Sequence, residues 1–168
     1  ANRKQRRIEL FAQSPIVVSA CLAGIPCRYN GKSRIDKDIL DLLARGKAIP
    51  LCAEVIGGLP TPRPAAEIVG GDGNDVLNGT AEVKTVDGKI YTEEFLQGAK
   101  QAADIAESYG VQHAILQSLS PSCGCGQIYD GTFTGQVIAG DGVFSAELKQ
   151  RGIAVKSCRG KSAEDKGE

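Results

Sequence analysis

The residues of this sequence that could do chemistry are chiefly its thiols. The chain has 6 cysteines and 1 histidine in 168 residues. Because only His113 is available, a histidine-rich zinc site is disfavoured, and so is a cysteine–histidine catalytic pair. In a chain with a proper core and no export signal, grouped thiols more often bind metals or catalyse than form a disulfide framework. The sequence therefore points to metal or sulfur chemistry.

The spacing of the thiols leaves the metal open. Structural zinc sites usually carry two C-x₂₋₄-C pairs, but the only close pair here is Cys123 and Cys125. An iron–sulfur cluster also needs thiolates, and separate loops can supply them singly. Inert packing remains the usual role of a single buried cysteine. Zinc, iron–sulfur and packing are all compatible with the spacing alone.

Two of the thiols directly follow short apolar runs. Residues 15–20 (PIVVSA) are typical of a strand buried on both faces of a parallel sheet, and Cys21 comes next. Residues 47–51 form a second predicted strand, in which Pro50 either weakens the prediction or marks an edge position, and Cys52 comes next. A third thiol, Cys123, lies in the loop after a third predicted strand.

The remaining elements complete an alternating order of strands and helices. They are, in order, a helix capped by Ser33 and ended by Gly46, a loop-rich stretch at 53–75, a hairpin at 81–91 around Asp87-Gly88, a helix capped by Thr92 with Phe95, Ala99, Ala102, Ala106 and Tyr109 on one face, a strand at 113–117, a helix at 142–151 capped by Asp141, and a strand at 153–156. The glycine-rich segment GGDGND lacks the lysine and serine of a loop that binds nucleotide triphosphates, so no such site is predicted there.

This order predicts the α/β class. We expect one compact domain, a mainly parallel Rossmann-like sheet flanked by helices, with a β-hairpin insertion near 81–91. Residues 15–158 form this domain, 1–14 a basic N-terminal extension and 159–168 a disordered tail. Because parallel strands end at one edge, and ligands bind there, Cys21, Cys52 and Cys123 are expected to converge.

Composition excludes several classes of function. The chain has 20 basic and 20 acidic residues, is 42% hydrophobic, and contains no apolar run that approaches the roughly 20 residues of a membrane span. A net charge near zero gives no electrostatic footprint for a nucleic-acid polymer or an anionic membrane. We therefore expect a cytoplasmic protein that binds neither; the oligomeric state is left open.

Five segments carry a resemblance to a known family. They are SACLAGIPCRYNG, LCAEVIGGLPTPRPAAEIVGGDG, the LQGA helix, SLSPSCGCGQIYDGTF, and GDGV with its helix. Together they resemble a bacterial family, long described only as a domain of unknown function, that includes the [4Fe–4S]-dependent 2-thiouracil desulfidases. The likeness runs from about Ile16 to Val155, which is nearly the whole chain.

The resemblance implies an enzyme and a set of site residues. Cys21, Cys52 and Cys123 would hold a [4Fe–4S] cluster with one iron not ligated by a protein cysteine. The family also implies a carboxylate and a serine near that iron. Glu54 is the candidate carboxylate, and Ser118 and Ser120 are the two serine candidates.

Other residues carry weaker assignments. Tyr29 offers a ring on which a base could stack, and Arg63 is a candidate either for substrate binding or for holding a loop carbonyl. Glu67 and Asp130 are more typical of loop braces, and His113 of a structural residue at the start of a strand. Arg28 is a further candidate for the pocket lining.

The implied reaction is non-redox hydrolytic desulfuration of a small thiolated base such as 2-thiouracil, with release of hydrogen sulfide. The alternative is a non-catalytic metal-binding or redox-sensing module whose zinc or cluster is fully ligated by cysteines. A fourth thiolate would come most readily from Cys125; Cys27 and Cys158 are more typical of spare thiols.

Overall fold

The computed structural model describes residues 14–161 and contains a central parallel sheet. The strands are β1 (Ile16–Ser19), β2 (Ala48–Leu51), β3 (Ala66–Val69), β4 (Glu82–Thr85), β5 (His113–Gln117), β6 (Gln127–Tyr129), β7 (Val137–Ala139) and β8 (Ala154–Cys158). The helices are α1 (Lys37–Ala44), α2 (Ala53–Ile56), α3 (Gly73–Leu77), α4 (Thr92–Ser108) and α5 (Val143–Gln150), and a 3-10 helix spans Ala20–Ala23.

The central sheet confirms the predicted α/β class. Its strand order is β2-β1-β5-β8 and all neighbouring strands run parallel. β2 lies at an edge, where Pro50 does not interrupt the hydrogen bonding of a central strand. β1 is central, and its Val17 and Val18 are fully buried, one on each face of the sheet.

Helices α4 and α5 pack together and cover the larger core. The buried face of α4 includes Phe95, Ala99, Ala102 and Ala106 as the periodicity predicts. Tyr109, predicted on the same face, is instead 64% exposed. It lies one residue beyond the end of α4, where the chain leaves the helical path, so the periodicity no longer sets its direction.

The predicted helix caps are each displaced. α1 begins after Asp36, whose carboxylate accepts the Ile39 amide at 3.1 Å, rather than after Ser33. α4 begins with Thr92 itself, whose Oγ1 accepts the Val83 amide at 3.0 Å and so joins the helix to β4. α5 begins after Gly142, not Asp141. Several polar residues stand near each start, and tertiary contacts decide which of them caps.

The stretch 53–75 is more regular than predicted. It contains α2, β3 and the start of α3, which a capping box between Asp72 and Asp75 initiates. β3 pairs antiparallel with β4 over four residue pairs. The predicted reversal at Asp87-Gly88 is present, since the Gly88 amide donates to Thr85 at 3.0 Å and Ile90 bridges back to Lys84. The main ladder of β4 is nevertheless with β3, so three short extended segments form this insertion.

A second small antiparallel pair, β6 with β7, lies between β5 and α5, where no strand was predicted from the sequence. Each of its strands has three residues, and β7 is exposed throughout. Such short strands carry too little alternation to be recognised from sequence.

Helix α2 follows Cys52 directly, and its position is set by a close backbone contact with α4. A Cβ atom on Gly98 would lie 1.9 Å from the Ala53 carbonyl oxygen, and one on Gly57 would lie 2.0 Å from the Glu94 carbonyl oxygen. Only glycine at both positions permits this approach. The contact fixes the turn that carries both Cys52 and Glu54.

The predicted N-terminal extension (1–14), apart from its last residue, and the end of the predicted tail beyond residue 161 lie outside the described residues. Within residues 14–161, no helix combines the length and apolar character needed to cross a membrane.

Candidate metal centre and substrate cavity

A cavity of about 470 Å³ lies at the edge where the central strands end. The residues that follow β1, β2 and β5 all contribute to its wall, including Cys21, Cys52 and Cys123. The structure therefore brings together the three thiols that the strand-end argument selects, although they are widely separated in sequence. Cys21 and Cys123 are buried and Cys52 is half-buried.

Each of these thiols is placed by a different local device. Cys21 is the second residue of the 3-10 helix that continues from β1, and a left-handed Gly24 ends that helix at φ 88°. Cys52 occupies the N-cap position of α2, in extended backbone. Cys123 lies in a tight loop whose geometry depends on Ser120, because the Ser120 Oγ accepts the Ser122 and Cys123 amides, each at 3.1 Å.

The Cys123 loop is also bound to the start of α5. The amides of Val143 and Phe144 donate to the carbonyls of Pro121 and Ser122 at 2.8 and 2.9 Å. The buried Ser145 Oγ donates to the Cys123 carbonyl at 2.9 Å. The Val143 and Phe144 amides lie in the first turn of α5 and have no acceptor within the helix, so the loop carbonyls replace a side-chain cap. α5 and the Cys123 loop therefore stabilise each other.

Cys27 also lines the cavity, where the sequence predicted a spare thiol. It is 8% exposed and lies in hydrogen-bonding contact with the thiols of Cys21 and Cys52. The contact with Cys21 and burial raise the pKa of Cys27 to about 11. The contact with Cys27, followed by burial, raises the pKa of Cys52 well above its ordinary value. Adjacent thiols of this kind stay protonated unless a cation compensates their charge.

Burial is the main cause that raises the pKa of Cys123, to about 12, and hydrogen bonds from Ser19 and Ser122 act against it. Ser19 is the last residue of β1 and is 2% exposed. It therefore adds a hydroxyl beside the third thiol. Ser19 was not predicted as a site residue, although its place at a strand end, two residues before Cys21, is a signal for one.

The other two thiols lie apart from this cavity lining. The Cys125 thiol contacts the Val155 carbonyl at 3.6 Å, and the Cys158 thiol contacts Asp36 at 3.4 Å. This placement does not favour Cys125 as the readiest fourth thiol, because Cys125 is not among the residues that line the cavity. Cys27 is instead the additional thiol that lines the cavity.

The donor set suits a cluster better than a single ion. Within residues 14–161, no three His, Cys, Asp or Glu side chains form a group that could hold one metal ion. A four-iron cluster is wider than an ion, and each thiolate binds a different iron. Three thiols delivered from separate strand ends around one roomy cavity fit such a group.

Glu54 lines the same cavity, two residues after Cys52, and its side chain is 18% exposed. Burial raises the pKa of Glu54 above its ordinary value of 4.5, and the Arg63 guanidinium opposes that rise. A carboxylate with a raised pKa in a cavity is suited to accept and return a proton during a reaction.

Arg63 lies behind Glu54 and does not line the cavity. Its guanidinium donates to Glu54 at 3.1 Å and to the Cys27 and Pro60 carbonyls at 2.9 and 3.1 Å, with only 1% of the side chain exposed. Of the two roles proposed for it, the structure places Arg63 on loop carbonyls rather than on a substrate. It joins the loop of Cys27 to the carboxylate.

The two candidate serines both line the cavity but differ in their bonding. Ser120 Oγ accepts the two amides described above, which leaves its own proton to donate. Ser118 Oγ is buried and has no hydrogen-bond partner. The neighbouring Gln117, which was not predicted as a site residue, also lines the cavity, and its buried Oε1 has no hydrogen-bond partner. Its place as the last residue of β5 follows the same strand-end logic as the thiols.

The mouth of the cavity contains Tyr29, which is 43% exposed, with the Arg28 guanidinium 5.7 Å from its ring centre. An aromatic face at the entrance is compatible with stacking of a base. Arg34 and Arg159 also line the cavity. Neither arginine was predicted from the sequence as a residue of the site.

Glu67 and Asp130 act as loop braces. Glu67 Oε1 accepts the amides of Gly131 and Phe133 at 2.9 and 3.2 Å, and Asp130 accepts the Thr132 amide at 2.9 Å. Glu67 nevertheless contributes to the cavity wall, whereas Asp130 is at the surface. His113 begins β5 on its exposed side.

Comparison with known proteins is consistent with this arrangement. A family profile described as 2-thiouracil desulfurase matches residues 16–159. The "Uncharacterized protein YbbK" of Bacillus subtilis (strain 168) is 48% identical over 142 residues, which are 84% of this chain and 94% of that protein. A solved structure of TudS (DUF523Vcz), a [4Fe-4S]-dependent thiouracil desulfidase, is 42% identical with a TM-score of 0.76, covering 86% of this chain and 90% of that one.

Proposed function

The chain belongs to the 2-thiouracil desulfurase family, and we propose that it hydrolyses a small thiolated nucleobase such as 2-thiouracil. The products are the oxygenated base and hydrogen sulfide. The observation that carries this proposal is the convergence of Cys21, Cys52 and Cys123 with Glu54 around one cavity. The family and the similarity to a [4Fe-4S]-dependent thiouracil desulfidase support the same reaction.

In this proposal Cys21, Cys52 and Cys123 hold a [4Fe–4S] cluster. When bound, the cluster would supply one iron without a protein thiolate, a soft Lewis acid suited to a thiocarbonyl sulfur. The protein contributes the three thiolates and a cavity in which a small base fits beside them. The location proposed with this function is the cytoplasm, because the thiolates that bind a cluster persist in a reducing compartment.

Glu54 is the general base of the reaction. Its carboxylate takes a proton from the water that attacks the thiocarbonyl carbon. The raised pKa of Glu54 favours this transfer, because a carboxylate of ordinary pKa is a weaker base. Arg63 holds the carboxylate at 3.1 Å and so acts as a positioning residue rather than a substrate ligand.

Ser120 donates its hydroxyl proton to the substrate, while its Oγ accepts the amides of Ser122 and Cys123. Ser118 offers a second hydroxyl that is free of protein partners. Tyr29 stacks on the base at the cavity mouth. The overall change is the replacement of one C=S bond by C=O through addition of water and loss of hydrogen sulfide, so no electrons are gained or lost.

The proposal is tested with anaerobically purified protein. We expect a brown protein with four irons and four sulfides per chain that converts 2-thiouracil to uracil without an added reductant. Oxygen-18 from labelled water should enter the product carbonyl. A colourless protein with one equivalent of zinc would instead indicate the non-catalytic metal module, and a reductant consumed in each turnover would indicate reductive desulfuration.

A further inference from the structure

Gln117 combines deep burial with an unsatisfied acceptor. It is the last residue of β5 and is 7% exposed. Its backbone N–H donates to Ser19 Oγ at 2.8 Å. Its side-chain oxygen Oε1 is buried and has no hydrogen-bond partner. Gln117 is also one of the residues that line the cavity, together with the thiols and Glu54.

Such an atom is costly to keep. A buried acceptor without a partner costs about 1–3 kcal/mol, so folded proteins retain few of them. Within residues 14–161, the unpartnered buried side-chain atoms are Gln117 Oε1, Ser118 Oγ and Arg63 Nε. Two of these three belong to consecutive residues at this cavity, and the next residue, Leu119, has a left-handed φ of 66°. Local cost of this kind concentrates where a ligand supplies the missing contact.

The type of atom restricts the ligand group that completes it. Oε1 is an acceptor, so its partner must be a donor. The thiocarbonyl and carbonyl groups of a thiolated pyrimidine only accept, and the ring N–H groups are the only polar donors such a base carries.

We propose that Gln117 is the residue that selects the substrate, through a hydrogen bond from a ring N–H next to the thiocarbonyl to Gln117 Oε1. The substrate class is therefore a cyclic thioamide that retains this N–H, and analogues alkylated at that nitrogen are rejected. This inference rests on the proposed desulfuration and adds to it the feature of the base that the site reads.

The test compares 2-thiouracil with its 1-methyl and 3-methyl isomers, each of which blocks one N–H beside the thiocarbonyl. For the wild-type protein, kcat/KM should be roughly 10- to 100-fold lower for one of the two isomers, which corresponds to the cost of an unpartnered buried acceptor. Gln117→Leu should lose that preference, because a side chain of similar size remains without the acceptor. Its kcat/KM for 2-thiouracil should fall to that of the rejected isomer.

Thermal unfolding distinguishes substrate selection from a structural role, because loss of a structural contact would lower the Tm of Gln117→Leu. Replacing an unsatisfied buried polar group by an apolar one of similar shape is neutral or stabilising, so the Tm of cluster-free Gln117→Leu should equal or exceed that of the cluster-free wild type. Gln112→Leu is the matched control, since Gln112 is exposed just before the same strand and should retain the wild-type preference.

Equal turnover of all three substrates by the wild type would overturn the inference, and so would an unchanged preference in Gln117→Leu. A lower Tm with unchanged preference would assign Gln117 a structural role. Absence of any turnover of 2-thiouracil by brown, cluster-loaded wild-type protein would instead contradict the proposed function itself, so the two failures are distinct.

Discussion

Substitution of a cysteine should affect cluster loading only at the three proposed ligands. We expect Cys21→Ser, Cys52→Ser and Cys123→Ser each to abolish cluster loading, since a cluster held by three thiolates has none to spare. Iron and sulfide content after anaerobic reconstitution, together with visible absorbance, measures the loss. A full cluster in any of these three variants would contradict the ligand assignment.

Cys27, Cys125 and Cys158 provide the matched controls for these substitutions. Cys125→Ala and Cys158→Ser should retain both cluster and activity, because both thiols contact groups outside the cavity. Cys27→Ser should retain nearly full loading even though its thiol lines the cavity. Loss of a single iron in Cys27→Ser alone would identify Cys27 as a fourth ligand.

Glu54 gives a prediction about rate and pH. Glu54→Gln keeps the shape of the side chain but removes the base, which typically lowers the rate by about 10²–10⁴-fold. The base acts when deprotonated, so wild-type kcat/KM should rise with pH through a midpoint above 4.5, the ordinary value from which burial raises the pKa. This acid limb should be absent from the residual activity of Glu54→Gln.

Cluster content should be the same in Glu54→Gln as in the wild type, because Glu54 is not a proposed ligand. A variant as fast as the wild type would show that another group activates the water, with Ser118 and Ser120 the next to be substituted. Loss of the cluster would place Glu54 among the ligands instead.

Among single residues, the sequence predicted which thiols meet at the cavity only where a thiol follows a strand. Cys21, Cys52 and Cys123 could be grouped from the sequence because each follows a predicted strand. Cys27 could not, because the loop that returns it to the cavity depends on contacts with Arg63 and Cys52 that are remote in sequence. The unpartnered oxygen of Gln117 depends on the whole cavity wall and has no sequence signal.

Among the elements, α2 and α4 form the contact that most directly supports the site. In Gly98→Ala the added Cβ would meet the Ala53 carbonyl oxygen at 1.9 Å, so α2 must shift together with Cys52 and Glu54. Overpacking of this kind costs about 1–3 kcal/mol, which corresponds to several degrees of Tm for a chain of this length. Cluster loading should fall as well.

Thermal unfolding and iron content of the variant measure both effects. Gln101→Ala is the control on the exposed side of α4 and should leave Tm and loading close to the wild type. A Gly98→Ala protein with unchanged Tm and full loading would contradict the role assigned to this contact.

The elements that the sequence predicted well are those with a strong period or a clear boundary. β5 was predicted with its observed bounds, and α4 from its alanine-rich face. β3 was missed because three prolines nearby and its four residues resembled a loop, and only pairing with β4 makes it a strand. Caps were displaced because Ser33, Thr92 and Asp141 compete with neighbours that tertiary contacts favour.

The whole molecule assembles its cavity from segments that are distant in sequence but adjacent at one sheet edge. Cys21, Cys52 and Cys123 follow three neighbouring strands of the order β2-β1-β5. A group bound to all three connects these segments, and a ligand that binds only the folded state raises the free energy of unfolding. Under the proposed ligation, cluster occupancy and the free energy of unfolding are coupled, and the protonation of the thiols makes that coupling depend on pH.

In the cluster-free protein, the pKa values of Cys27 and Cys123 are raised from 9.0 to about 11 and about 12. Between pH 9 and these values the folded state holds protons that the unfolded state has released, so the free energy of unfolding falls as pH rises. Ligated thiolates are already deprotonated, so this contribution from Cys123 should be absent from the cluster-loaded protein. Anaerobic denaturant unfolding between pH 8 and 11 should therefore give a steeper decline for the cluster-free form, and Cys27→Ser should make that decline shallower. Parallel curves for the two forms would mean that the cavity thiols are not held protonated by burial and by one another.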